Sequence, residues 1–172
     1  MRKFLATFLM ILVCYLLQTT VFSYFRFGDI VPNCLLIITV SSGIMRGDRH
    51  GLLAGFVCGL LVDIFFGNFI GFYAILYMYA GFLSGIFHKI YFPENMLFSL
   101  GVITGVDFCY GFLVYVLSFL LRSRFAFGYY LLHIIVPEVI YTSIVAVFLY
   151  PVILKVNMKV DDIIQGSAKK FV

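Results

Sequence analysis

Charged residues are scarce in this sequence, and tryptophan is absent. Lys, Arg, Asp and Glu make up 12% of the 172 residues, whereas hydrophobic residues make up 63%. Soluble domains have about 25% charged and about 45–50% apolar residues, and a chain of this length could not bury the excess in one core. The composition therefore excludes an ordinary soluble domain and indicates that lipid surrounds most of the chain.

The cysteines and the basic residues form no cluster that would hold a metal or a nucleic acid. Four cysteines stand apart in apolar segments, without a C-x-x-C pair, at Cys14, Cys34, Cys58 and Cys109. They are typical of small buried hydrophobes rather than of a disulfide framework or a metal site. The basic residues occur singly or in pairs at the ends of apolar runs, without the patch that phosphate binding needs. We predict no cofactor, no metal site and no nucleic-acid partner.

A catalytic set of residues is also missing. The three histidines are far apart in the sequence, no Ser-His-Asp arrangement is legible, and no Gly-rich phosphate loop follows a strand. Because no group of residues competent for a reaction is present, we expect a protein that is not an enzyme.

Six apolar segments approach the length of about 20 residues that a membrane-crossing helix needs. They cover residues 4–22, 30–45, 50–66, 69–88, 96–121 and 128–154. The second and third are short, and the fifth and sixth are long enough that they must tilt or extend beyond the hydrocarbon. We predict an all-α integral membrane protein, with a single domain of six transmembrane helices over residues 1–154 and a short basic cytoplasmic tail over residues 155–172.

The distribution of Lys and Arg predicts that both termini are cytoplasmic. With the N-terminus inside, only Arg26, Arg122 and Arg124 face the outside. The other nine basic residues then face the cytoplasm: Arg2, Lys3, Arg46, Arg49, Lys89, Lys155, Lys159, Lys169 and Lys170. Cytoplasmic loops carry an excess of Lys and Arg, which favours this orientation.

Small residues recur every four positions along the third segment. Gly51, Gly55 and Gly59 continue to Asp63 at the same spacing, so the four residues form one stripe on a helix. Small residues let a second helix approach closely, which stabilises helix pairs in membranes. The stripe is thus interpreted as intramolecular packing or, alternatively, as a docking face for another protein's helix. The same spacing recurs at Gly43 and Gly47, Gly81 and Gly85, and Gly101 and Gly105.

Two acidic residues lie near the middle of the last two segments. Asp107 and Glu138 have no Lys or Arg within any segment to pair with them. Because burial disfavours the charged form, we expect both carboxyls to be protonated. Hydroxyls of Thr104, Tyr110 or Tyr141 are the expected hydrogen-bond partners. The pair is interpreted as interhelical hydrogen-bonding glue, with a proton or substrate path as the alternative.

The order of residues over about positions 10–90 is similar to a known family. In chain order the matching residues are Gln18-Thr19, Pro32-Asn33-Cys34-Leu35-Leu36, Arg46-Gly47, Gly51, Gly55-Phe56, Gly59-Leu60-Leu61-Val62-Asp63, Gly71, Leu76-Tyr77 and Gly81. This order resembles the rod shape-determining protein MreD family of the bacterial inner membrane. The C-terminal half agrees mainly in length and number of segments, and Asn33 stands where the family usually has Asp.

The resemblance implies a non-catalytic membrane scaffold of the cell-elongation machinery, which contributes to cell shape and peptidoglycan synthesis. Such proteins bind the bitopic MreC protein, and through it help to connect MreB filaments with a RodA-type glycosyltransferase and its transpeptidase. The family fold also resembles the substrate-binding membrane component of energy-coupling-factor transporters. The expected helix-packing or partner residues are Gln18, Pro32, Gly51, Gly55, Gly59, Asp63, Gly71 and Gly81.

A substrate-binding subunit of a vitamin-type transporter is the alternative function. It would place Asp107, Glu138, Tyr110 and Tyr141 around a pocket. That transporter family usually has an Ala-x-x-x-Ala element in its first span, and the sequence Ala6-Thr7-Phe8-Leu9-Met10 has no such pair. The scaffold is therefore favoured, while a bound ligand, the oligomeric state and the helices that contact partners stay open.

Overall fold

The computed structural model describes residues 2–25, 30–67, 70–90, 95–122 and 127–169, and its regular structure there is helical, without a β-sheet. Six main helices follow the predicted segments: α1 (Arg2–Leu16), α2 (Cys34–Arg46), α3 (Asp48–Phe66), α4 (Phe72–Ile86), α5 (Met96–Arg122) and α6 (Val136–Lys169). The all-helical prediction is confirmed. Among the described residues, four stretches are long and apolar enough to cross a membrane, namely Phe4–Val21, Asp48–Phe66, Met96–Leu117 and Gly128–Ile163.

Short non-standard turns extend three of the helices. A π-helical turn, Leu17–Val21, continues α1 into Phe22–Tyr24, and a 3₁₀ turn, Phe87–Ile90, ends α4. A second π-helical turn, Leu131–Ile135, leads from Phe127–Tyr130 into α6. It lies just before Pro137, which has no N–H to donate to the carbonyl one turn earlier, so a wider turn fits there.

Helix α2 forms the centre of the bundle. Its residues from Cys34 to Ile44 are all buried, and α1, α3, α4, α5 and α6 all pack against it. Its hydroxyls are satisfied within the helix, because Thr39 Oγ1 donates to the Leu35 carbonyl at 2.8 Å and Ser41 Oγ to the Ile37 carbonyl at 2.6 Å. A helix of 13 residues is about 20 Å long, and a central position lets so short a helix exist without contacting lipid.

Helices α3 and α4 form a hairpin whose backbones almost touch. A Cβ atom at Gly51 would collide with the carbonyl oxygen of Gly81, and one at Gly55 with that of Tyr77. At Gly59 it would collide with the backbone of Ala74. The glycine stripe of α3 therefore lies against α4 inside the molecule, which is the close approach that small residues permit.

One end of the bundle, here called the basic end, carries Arg46, Arg49, Lys89 and Lys155. There the Arg46 guanidinium donates to Thr7 Oγ1 at 2.8 Å, and Asn157 Nδ2 donates to Met45 Sδ at 3.0 Å. Helix α6 continues to Lys169, so residues 155–169 extend the last helix beyond the position where the apolar segment ends. Arg26, Arg124 and Lys170, which entered the predicted orientation, lie outside the described residues.

The opposite end, here called the far end, is uneven. Helices α2 and α4 begin there at Cys34 and Phe72, whereas α5 and α6 pack against each other further out. Gly111 of α5 lies beside Ile135, and the rings of Tyr115 and Tyr130 are 4.8 Å apart. The long fifth and sixth segments therefore form a hairpin that reaches beyond the beginnings of the short helices.

Candidate functional site

The buried carboxylate of Asp63 holds the beginning of α4. Its Oδ2 accepts the backbone N–H groups of Gly71 and Ala74, and its Oδ1 accepts that of Tyr73, each at 2.9 Å. Asp63 is 2% exposed. Gly71 has φ of +103°, a left-handed conformation that glycine adopts without strain and that turns the chain into the helix.

Asp63 supplies hydrogen-bond acceptors to the first N–H groups of α4. The first N–H groups of a helix have no partner within it, and hydrocarbon offers no water to replace one. One carboxylate satisfies three donors, and its negative charge lies at the positive end of the helix dipole. Asp63 is therefore a structural cap, a role that its place on the glycine stripe did not predict.

Asn33 holds the beginning of α2 in a comparable way. Its Oδ1 accepts the Leu36 N–H at 3.1 Å and the Tyr77 hydroxyl at 2.6 Å. Its own backbone N–H donates to Thr142 Oγ1 at 3.1 Å. The cap thus connects α2 with α4 and α6. Asn33 was noted in the sequence only as a departure from the family pattern.

Gln18 and Pro32 complete the beginning of α2. Gln18 Oε1, in the π-helical turn after α1, accepts the Leu35 N–H at 3.2 Å. The Pro32 carbonyl accepts the Cys34 N–H at 3.1 Å, and the fixed φ of proline favours the turn that precedes the helix. The motif residues around positions 18 and 32 therefore meet in space, although 14 residues separate them in the sequence.

Replacing Asn33 by alanine should lower the free energy of unfolding by about 2 kcal/mol, because a helix cap and a buried acceptor of the Tyr77 hydroxyl are both lost. Asn33→Asp keeps an oxygen in the same place and should lose clearly less. Thermal denaturation of the purified protein in detergent measures both, and Tyr77→Phe reports the hydroxyl alone. An alanine variant as stable as the wild type would contradict the capping role.

Asp107 and Glu138 face one another across the seam of α5 and α6. Asp107 is 2% exposed, and Glu138 is partly exposed and close enough for the two carboxyls to interact electrostatically. The Thr142 hydroxyl lies beside Asp107. This places the acid pair next to the cap of α2, because Thr142 also accepts the N–H of Asn33.

The hydroxyl partners expected for Asp107 are wrong. Within the described residues, neither carboxylate oxygen of Asp107 has a hydrogen-bond partner. Thr104 Oγ1 instead donates to the Leu100 carbonyl and lies 2.9 Å from Ser143 Oγ, while Tyr141 donates to the Phe25 carbonyl. The sequence could not predict this, because hydroxyls in a helix readily bond to their own preceding turn.

An apolar groove of about 700 Å³ lies between α4 and α5. Gly101 and Gly105 line it, and a Cβ atom at either would meet nothing within 4 Å. Their spacing matches that of the α3 stripe, but no helix of the described chain packs against them. Of the four residues expected around a transporter pocket, Tyr110 lines this groove, whereas Asp107, Glu138 and Tyr141 do not.

The caps at Asn33 and Asp63 lie among the residues that resemble the MreD family. A comparison of the whole chain with known families gives the same family. The family model described as rod shape-determining protein MreD matches residues 1–160. The chain belongs to the MreD family. Searches of curated proteins and of solved structures returned no match.

Membership in the MreD family extends the resemblance beyond residues 10–90 to nearly the whole chain. It includes α5 and most of α6, where the sequence offered only length and number of segments. MreD proteins are rod shape-determining membrane proteins and are generally not enzymes. This MreD-family chain is accordingly a multi-pass protein of the bacterial membrane that takes part in determining cell shape.

Proposed function

We propose that this MreD-family protein is a non-catalytic scaffold of the rod complex that binds an MreC-type bitopic partner. Through that partner it helps to connect MreB filaments with a RodA-type glycosyltransferase and its transpeptidase. The family match over residues 1–160 is the observation that carries the proposal. The lipid bilayer surrounds the bundle, and no nucleic acid takes part.

All six helices cross the membrane in this proposal, and both termini are cytoplasmic. The basic end, with Arg46, Arg49, Lys89 and Lys155, then faces the cytoplasm, as the excess of Lys and Arg in cytoplasmic loops requires. The short helices α2 and α4 begin below the opposite surface, where Asn33 and Asp63 satisfy their free N–H groups. This internal capping is what allows helices of 13 and 15 residues to belong to a membrane bundle.

A scaffold needs a rigid body, and the packing around α2 supplies one. At Gly51, Gly55 and Gly59 the backbones of α3 and α4 are in contact, with no side chain between them that could rearrange. The caps at Asn33 and Asp63 join neighbouring helices through hydrogen bonds that water does not reach. Such a bundle holds its surface in one shape, which suits the positioning of partners better than the opening and closing of a transport pathway.

Chemical crosslinking in native membranes, followed by purification through this chain and mass spectrometry, tests the proposal. We expect to recover a single-span protein with a periplasmic coiled coil, together with enzymes of wall synthesis. Membranes that contain the untagged chain serve as the control for background binding.

Two outcomes would contradict the scaffold. Recovery of paired ATPases with a second integral subunit would indicate a transporter component, and the region around Asp107 and Glu138 would then be searched for a bound vitamin. Recovery of no protein above the untagged control, from membranes where the rod complex itself is intact, would also oppose the proposed partner.

A further inference from the structure

The contacts between α5 and α6 fix which residues of the two helices lie at the same depth. Thr104 lies 2.9 Å from Ser143, and Gly111 lies beside Ile135, so the helices run antiparallel with Asp107 between these two contacts. Asp107 therefore faces the part of α6 that contains Glu138. The two carboxyls form one site rather than two separate buried acids.

Lys and Arg are absent from the parts of the helices that surround this site. Residues 97–121 of α5 and residues 136–154 of α6 contain no Lys or Arg, and neither do residues 34–45 of α2 and 72–86 of α4. The ionisable groups that face the pair are phenols, because Tyr77 of α4 and Tyr110 of α5 both lie within electrostatic reach of Glu138. At the beginning of α2, the backbone N–H of Asn33 donates to Thr142 Oγ1.

Asp107 shows that the described contacts leave the site incomplete. Asp107 is 2% exposed, and neither of its carboxylate oxygens has a hydrogen bond of ordinary geometry among the described residues, although the Thr142 hydroxyl lies beside it. A bare buried carboxylate costs several kcal/mol unless something compensates its charge. Two neighbouring carboxyls resist ionising together, and a shared proton relieves that repulsion.

We propose that Asp107 and Glu138 form a proton-binding pair, in which the two carboxyls share a proton inside the seam. With the pair protonated, the seam is neutral and α5, α6 and the beginning of α2 pack tightly. Loss of protons places negative charge beside Thr142 and Asn33, and the positive end of the α2 dipole compensates only part of it. This goes beyond the scaffold function and does not depend on which partner is bound.

Infrared titration of the full chain in lipid nanodiscs tests the proposal. We expect a band of protonated carboxyl groups that weakens as the pH rises from mildly acidic to mildly alkaline, and that loses intensity in both Asp107→Asn and Glu138→Gln. In Glu138→Gln the remaining Asp107 signal should titrate over a different pH range, because its partner is gone. Asp162→Asn, which removes an exposed acid near the basic end, should leave the band unchanged.

The melting temperature of the same samples provides a second measurement. On this proposal the folded state holds the proton, so the pair should contribute most to stability at mildly acidic pH and less as the pH rises. This dependence should disappear in the Asp107→Asn, Glu138→Gln double variant. A carboxyl band that is absent, or one that never titrates, would overturn the proposal, and so would an unchanged pH dependence of melting in the double variant.

Discussion

Replacing Asp63 by alanine should lower the free energy of unfolding by about 4 kcal/mol, the largest effect that we expect from a single side chain. The three backbone N–H groups of Gly71, Tyr73 and Ala74 would lose their acceptor in a place that water does not fill. Asparagine offers one oxygen and no charge, so Asp63→Asn should fall between alanine and the wild type. Melting in detergent, followed by size-exclusion chromatography of heated samples, measures the loss.

Asp162→Asn is the matched control for removing a carboxylate. Asp162 is exposed near the basic end of α6, and its loss should change the melting temperature little. If Asp63→Ala melts at the wild-type temperature, the cap contributes nothing to stability.

Gly55→Leu should destabilise the bundle by about 3 kcal/mol or more and reduce the amount of protein that survives extraction. A side chain at this position collides with the carbonyl of Tyr77, and backbone cannot move aside as a flexible side chain does. Separation of α3 from α4 would also disturb the cap at Asp63, since that cap bridges the same two helices. Melting temperature and yield after extraction are the measurements.

Gly105→Leu provides a stringent control, because it makes the same change on a stripe with the same spacing. Nothing lies within 4 Å of the added Cβ there, and leucine is the better helix former by up to about 1 kcal/mol. Its stability should equal or exceed that of the wild type. Similar losses in the two variants would show that the effect comes from glycine replacement in general, not from the contact of α3 with α4.

The positions of the helices followed from hydropathy, but only some of their ends did. The segment expected at 96–121 is the helix Met96–Arg122, whereas the segment expected at 30–45 begins only at Cys34. Hydropathy counts apolar residues, and Ile30 and Val31 are as apolar as the residues of the helix that follows them. The boundary is set by Pro32 and by the Asn33 cap, and the cap depends on hydrogen bonds to the distant residues Tyr77 and Thr142.

The candidate site was predictable by residue but not by role. The sequence singled out Gln18, Pro32 and Asp63, yet it could not show that the first two hold α2 and the third holds α4. The glycine spacing likewise could not distinguish Gly55, which touches a helix, from Gly105, which does not. The spacing of the glycines shows that they share one face of a helix, but the neighbour that packs against this face is known only from the fold.

The helices present the bilayer with two different apolar heights. Helix α4 is about 22 Å long by its 15 residues, and α5 is about 40 Å long by its 27 residues. We therefore expect lipids beside α4 to be compressed relative to those beside α5. Each ångström of such thickness mismatch costs a fraction of a kcal/mol. This cost falls where the membrane is already thin or where another protein covers the short side, so we expect the difference in helix length to favour such membranes and such neighbours without any polar contact.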